Sequence, residues 1–304
     1  MILRQSAFTG DKKLLKGGLH CHTTRSDGKG TPEEVIAKHV ENGYDFLALT
    51  DHRIYNFKNY PALPITIVPG MEMDRQIEGP GQVHCFHAVC LGPVENNGYK
   101  QDETFGRAVV KDQYEFQVLL DEIHDRNNIT FYCHPEWSAT PAEEFMHMKG
   151  NVAMEIWNSG GAMENHQDTN AAYWDQVLYA GKKLWGVAVD DGHAMEHHCV
   201  GWVMVNAENN VPAILKAIEQ GDFYSSTGPE IYDFYVEDGV AKVSCSPASC
   251  VEFYCWRRPT QLREGDGLTQ AECPLREQPY VRACVIDKEG RRAWTNPIFL
   301  NEEK

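Results

Sequence analysis

The sequence is short of positive charge. It sets 28 Lys and Arg against 44 Asp and Glu, a formal net charge of −16 at pH 7. So acidic a chain repels a phosphate backbone, which excludes broad, salt-driven nucleic-acid binding and a nucleic-acid scaffold role. No apolar run approaches the ~20 residues that span a bilayer, so no membrane partner is expected. The opening stretch MILRQSAFTGDKKLLKGG lacks the apolar core and small-residue cleavage site of a secretory signal. The ten cysteines never form a CxxC pair, so the expectation is reduced thiols in the cytoplasm. Neither GxGxxG nor GxxxxGK[ST] occurs, which removes both nucleotide fingerprints. What remains is ordinary globular composition, 42% hydrophobic and 24% charged over 304 residues. That length suits two domains, or one barrel with an appendage, and needs no disulfide staples.

Apolar runs and turn signals order the chain. Strands are expected at 14–22, 44–50, 65–70, 84–92, 129–135, 151–158, 183–191 and 199–207. Thr31-Pro32-Glu33-Glu34 is a capping box opening a helix that Gly43 ends. Further helices are expected at 112–126, 168–180 and 211–220. Strands alternating with helices predict a mainly parallel sheet, here a distorted β/α barrel. From Pro229 onward no helical period survives. Short β-rich pieces alternate with Asp-Gly, Gly-Asp-Gly and Glu-Gly turns. The expected organisation is therefore α/β: a barrel over 1–228, then a small all-β, sandwich-like domain over 229–304.

Histidine and carboxylate gather where the expected strands end. His20 and His22 close the first strand and, two apart, share a face. Asp27 follows, then His52 after the second strand, Glu72 after ITIVPG, His87 in the fourth strand, His134 in Cys-His-Pro, and Asp191 with His193. Barrel sites are built at the C-terminal ends of strands. Imidazole with carboxylate suits Mn, Zn or Fe. Two close divalent ions need an anionic bridge, and Glu72 is the natural one. Water held between such ions ionises near neutral pH and attacks an ester.

In this order, HxH, Ser-Asp-Gly, Leu-Thr-Asp-His, Gly-x-Glu, Cys-His-Pro and Asp-x-His resemble the PHP (polymerase and histidinol phosphatase) family of metal-dependent phosphoesterases, over roughly residues 17–227. The resemblance implies a distorted (β/α)7 barrel with two to three divalent metal ions. It implies one metal among His20, His22, Glu72 and Asp191, a second among Glu72, His87 and His134, and a third among Asp27, His52 and His193. It favours His87 over His84, because His87 precedes Leu91-Gly92 by the family's spacing. Gly221–Pro229 and the β-rich tail resemble the branch of carbaryl-hydrolase-type carbamate hydrolases. The expected function is a phosphoesterase acting on a small anionic phosphate ester through a metal-bound hydroxide, with Asp191 or His193 as candidate acid. The alternatives are a carbamate, amide or carboxylic-ester hydrolase with the same site, and a non-catalytic metal-binding module.

Weaker signals surround this series. Arg25, Arg53 and Lys58 stand near the ligands in sequence, and Arg53, next to His52, is the best candidate for binding a phosphate group. Asn158 either orients substrate or caps a turn. Asp51 and Asp190 adjoin ligands but point away from them if the strands are regular, and their expected role is to hold imidazoles in the right tautomer from behind. His197-His198 reads as an exposed loop pair, and His39, His124, His147 and His166 receive no role. Cys245, Cys250 and Cys255 read as small apolar residues. Trp185, Trp202 and Trp256 read as core. Residues 93–111, with Arg107 and Lys111, are a lid or a surface loop.

Overall fold

The computed structural model describes residues 5–6, 13–79, 84–95, 97–256 and 259–300. Two sheets carry the site. In the first, Leu14–Gly18, Phe46–Ala48 and Thr66–Val68 run parallel, and Trp202–Asn206 lies antiparallel beside Leu14–Gly18. The second has the order Trp185–Val189, Asn151–Asn158, Ile129–Tyr132, Cys85–Leu91, Gly70–Ile77, Val109–Val110. Pro69 alone separates Thr66–Val68 from Gly70–Ile77, where its missing N–H interrupts the ladder. The expected strand 65–70 therefore continues to Ile77, and Glu72 lies inside a strand rather than after one. The sheet is also more mixed than the sequence suggested. Cys85–Leu91 is antiparallel to both its neighbours.

Both sheets enclose one core. Leu15, Phe46, Val68, Val89, Phe131, Ala153, Val187 and Val203 belong to a single buried cluster drawn from both. Gly17 belongs to this packing: a Cβ there would run into the Phe46 ring. The helices appear close to where capping and periodicity put them. Pro32–Glu41 has its capping box. Gln113–His124 starts on the Asp112 side chain. Asn170–Tyr179 packs Trp174 and Val177 inward. Val211–Gln220 starts on Asn210 and ends at left-handed Gly221. Two short helices, Ala142–Phe145 and Ser159–Asn165, were not anticipated.

The β-rich tail begins with the hairpin Ile231–Glu237 and Val240–Tyr254. Its turn, Asp238-Gly239, has both residues left-handed, as a tight hairpin requires. The Gly-Asp-Gly signal at 265–267 is not a hairpin turn. It lies inside the strand Pro259–Pro274, opposite register shifts between Ser244 and Cys250, so the glycines serve a bulge. Tyr280–Ile286, Arg292–Thr295 and Ile298–Phe299 complete the region. No linker separates it from the rest: Phe223–Ser226 pairs with Arg292–Thr295 across residue 228. Tyr280, Cys284 and Trp294 share a core cluster with Met154 and Trp174.

Smaller expectations resolve as follows. Cys245 and Cys255 are buried and Cys250 is partly buried, all as free thiols. Trp185 and Trp202 are half-buried in strands. Trp256 is 40% exposed and follows the strand end, so it is not core. Residues 93–111 contain Glu103–Thr104, paired with Ile54–Tyr55, and Val109–Val110, paired with Gln76 and Ile77. The segment is thus hydrogen-bonded to the barrel.

Candidate metal centre

Strand ends converge on Glu72. Its carboxylate is fully buried and five imidazoles face it. His87 Nδ1 lies 2.7 Å and His134 Nε2 3.2 Å from Oε1. His52 Nδ1 at 2.8 Å, His22 Nε2 at 3.3 Å and His20 Nε2 at 3.5 Å face Oε2. Asp191 Oδ1 adds a second carboxylate, 3.0 Å from His22 Nε2 and 3.3 Å from His20 Nε2. Asp27 stands further out, 3.6 Å from both His22 Nδ1 and His52 Nε2 and 3.5 Å from His193 Nε2. The donor sets His20–His22–Glu72–Asp191, His22–Asp27–His52–His193 and His52–Glu72–His87 are each tight enough to hold an ion. His22 joins the outer set, which the sequence had as Asp27, His52 and His193.

The backbone explains the convergence. Asp191 N–H donates to His20 O and His22 N–H to Gly192 O, so the first and last barrel strand ends are laced together. Glu72 N–H donates to Thr50 O, which fixes Glu72 beside His52. His134 and Asp191 have positive φ, 23° and 48°, an uncommon conformation that clusters at functional sites. Gly160 is required for close approach: a Cβ there would lie 2.7 Å from Asp191 O.

The chemistry of the set fits divalent metal. Glu72 Oε2 and Asp191 Oδ1 are buried with no hydrogen-bond partner among the described residues. His20 Nε2 and His22 Nε2 face each other at 3.1 Å, a separation at which both can bind one ion. Burial alone would push the Glu72 carboxyl up, yet the His52, His87 and His20 imidazoles hold it well below the usual carboxylate range. Burial likewise opposes charge on His20, yet Asp191, Glu72 and Glu155 raise it well above the ordinary imidazole value. Without metal, these carboxylates recruit protons onto imidazoles. Metal binding displaces such protons.

Several supporting residues were missed from the sequence. Glu155 Oε1 lies 2.6 Å from His20 Nδ1, and Oε2 accepts from His134 N–H at 2.9 Å. Ser138 Oγ lies 3.1 Å from His134 Nδ1. Asp74 Oδ1 lies 3.1 Å from His52 Nδ1 and also takes the Arg53 guanidinium. A charge inside the apolar run AMEIWN, and an Asp two residues beyond Glu72 on one face, were the readable signals. Such outer hydrogen bonds fix the imidazole tautomer. Glu155→Ala is expected to weaken metal retention about 10- to 100-fold, measured by competition with a chelator.

Other expected roles change. Asp51 touches no ligand imidazole. It accepts from Thr23 N–H and from the Ser26 amide and hydroxyl, pinning the loop that carries Asp27. Asp190 faces His39 and the amides of residues 199–201. His197 and His198 are buried, not an exposed pair. His84 precedes its strand and pairs with Glu144, away from Glu72. Arg25 is held by Asp102 and by Asn56 at 2.8 Å, Arg53 by Asp74, and Lys58 lies near Glu33. None of these three lines the cavity above Glu72. Asn158 takes the capping role and adds a contact with a ligand carboxylate. Its Oδ1 caps the helix at Gly161, and its Nδ2 donates to Asp191 Oδ2 at 3.0 Å. The cavity measures about 350 Å³. Lys29, Trp137 and Glu164 line it with the ligands, and Lys29 is its one cationic side chain besides histidine among the described residues.

A model of the PHP domain matches residues 18–196, more than half of the chain, and the protein belongs to that family. A two-domain protein from Bacteroides vulgatus, named for a predicted PHP-like metal-dependent phosphoesterase, is similar in structure. Its TM-score is 0.50 at 14% identity, over 96% of this chain and 88% of that one. An amidohydrolase from Chromobacterium violaceum is similar over 59% of this chain and 87% of its own, with TM-score 0.40 and 13% identity. No curated protein matches the sequence. Family and donor sets together define a metal-dependent hydrolase that uses divalent ions. No helix among the described residues is long and apolar enough to cross a membrane.

Proposed function

We propose that the protein hydrolyses a small phosphate ester at a site built on Glu72. The observation that carries this reading is the double use of that carboxylate: each oxygen faces a different group of imidazoles, the arrangement of a bridge between two ions. Divalent ions held there would neutralise charge on phosphoryl oxygens and lower the pKa of water. His20, His22 and Asp191 would hold one, His87 and His134 a second, and Asp27, His52 and His193 a third. The chain's own residues then bind and orient. Glu155 and Ser138 fix the His20 and His134 rings, and Asn158 holds Asp191 Oδ2. His193 donates Nδ1–H to Asp191 O at 2.9 Å, which turns its Nε2 toward Asp27 as the ligand atom. Lys29 takes the substrate-binding role that Arg25 and Arg53, engaged elsewhere, leave open. Residues 1–228 carry the chemistry, and 229–304 support the wall behind it. Ten unpaired cysteines agree with a cytoplasmic setting.

A second reading, hydrolysis of a carbamate or related ester, is favoured by the exposed face of Trp137. This ring stands 5.1 Å from His134 and 5.7 Å from His87, and offers an uncharged substrate an apolar surface. The experiment is phosphate release from a set of small phosphate mono- and diesters by Mn²⁺-reconstituted protein. Metal-dependent release is expected. Lys29→Met should raise KM about 10-fold with kcat retained, the loss of a charge-assisted contact. No release with metal bound would overturn the phosphate reading. Carbamate turnover would then support the second, and no turnover at all a metal-binding module.

A further inference from the structure

Behind the cavity, three side chains that the proposed chemistry does not use face one another. His39 comes from the helix Pro32–Glu41, Asp190 from the end of Trp185–Val189, and His198 from the loop after Met195–His197. All three are at most 2% exposed. One ligand atom of each lies within 4.8 Å of the other two.

Hydrogen bonding sets the tautomer of His39. Its Nδ1 lies 2.8 Å from Val35 O, a carbonyl that can only accept, so Nδ1 carries the proton and the neutral ring leaves Nε2 bare. That nitrogen is buried without a partner. Asp190 Oδ2 is 3.7 Å away, beyond hydrogen-bond reach. His198 Nδ1 is also buried without a partner. An unsatisfied nitrogen on each imidazole and a carboxylate thus meet in one buried cluster, and no described residue satisfies either nitrogen. Their surroundings resemble the outer shell of a metal site. The far nitrogen of His39 is bound to a backbone carbonyl. Asp190 Oδ1 accepts from Ser159 Oγ, Val200 N–H and Gly201 N–H, which leaves Oδ2 turned inward with only the Cys199 amide on it. The His198 ring lies so close on Gly192 that a Cβ there would collide with it, which fixes the ring's position.

We propose that His39, Asp190 and His198 form a further metal site, separate from the cavity, that takes one divalent ion of the zinc class. Two imidazoles and one carboxylate are zinc donors, and bonds of about 2.0–2.2 Å would draw these three atoms onto one ion. The ion would tie the helix Pro32–Glu41 to the strand end bearing Asp191 and to the loop behind His193. Its role is structural, and it stands independently of the phosphoesterase reading.

The test is zinc per chain by mass spectrometry after stripping, zinc reconstitution and gel filtration. His39→Gln and His198→Asn, each checked for folding by circular dichroism, are expected to bind one zinc fewer than the unaltered protein. A variant emptied of all three cavity sets (His20→Ala, His22→Ala, His52→Ala, Glu72→Gln, His134→Ala, His193→Ala) is expected to keep one. Equal zinc in the folded single variants overturns the proposal. If the single variants do not fold, the emptied variant decides: one zinc per chain supports the site, and none overturns it.

Discussion

Glu72→Gln is expected to lower kcat/KM by about 10³-fold or more, the scale of losing a central charge-stabilising group. The carboxylate stands between five imidazoles and is shielded from water. An amide has the same shape, but it has no charge and offers one acceptor oxygen in place of two. It can serve one ion and cannot bridge a pair. Metal content should fall with activity, and far-ultraviolet circular dichroism should stay unchanged. Activity near the unaltered level with full metal content would remove Glu72 from the centre of the mechanism. Glu72→Asp keeps the charge but shortens the reach. It should retain more metal than Glu72→Gln while losing most turnover.

Arg282→Ala is expected to have the largest effect on stability. Arg282 lies in the tail strand Tyr280–Ile286 and is 1% exposed. Its guanidinium reaches Asp175 on the helix Asn170–Tyr179, with Nε 3.1 Å from Oδ1. It lies over the rings of Tyr254, 3.8 Å away, and Trp174, 4.6 Å away. Truncation would leave the Asp175 carboxylate buried and uncompensated, which costs about 3–5 kcal/mol. Against a total of about 5–15 kcal/mol, that is a large fraction. Calorimetry of the metal-loaded protein should show Tm lower by roughly 6–15 °C. The pair Arg282→Met with Asp175→Leu should recover much of the loss, since the penalty lies in the orphaned charge. An unchanged Tm in the single variant would show that the contact does not fasten the tail to the barrel.

How much of this was legible depended on the distance over which each signal acts. Strand ends and two-residue spacing are local, so His20 with His22 and Asp191 with His193 were readable as pairs from alternation alone. The helix caps at Thr31 and the Asp238-Gly239 turn were readable for the same reason. Side-chain direction was only partly so. Arg53 directly follows His52, yet its left-handed backbone, φ 56°, sends it to Asp74 instead of the cavity. Asp51 and Asp190 point away from the ligands as strand alternation implied, but what they hold instead, Thr23 with Ser26 and the amides of residues 199–201, was not readable. Glu155 was hidden because an isolated charge in an apolar strand has no local partner to announce its role. Its partners, His20 and His134, lie 135 and 21 residues away. The strand Pro259–Pro274 was obscured because its glycines look like a turn, and only the bulged partner strand shows otherwise.

The pairing of Phe223–Ser226 with Arg292–Thr295 has a consequence for how the chain can be divided. Composition changes at residue 228, and a fragment ending there would look like a complete barrel by sequence. It would nevertheless expose the hydrogen-bonding edge of Phe223–Ser226, a template for another chain. It would also lose Trp294, Cys284 and Tyr280 from the core they share with Met154 and Trp174. The border visible in composition is therefore crossed by a strand pair and by a shared core.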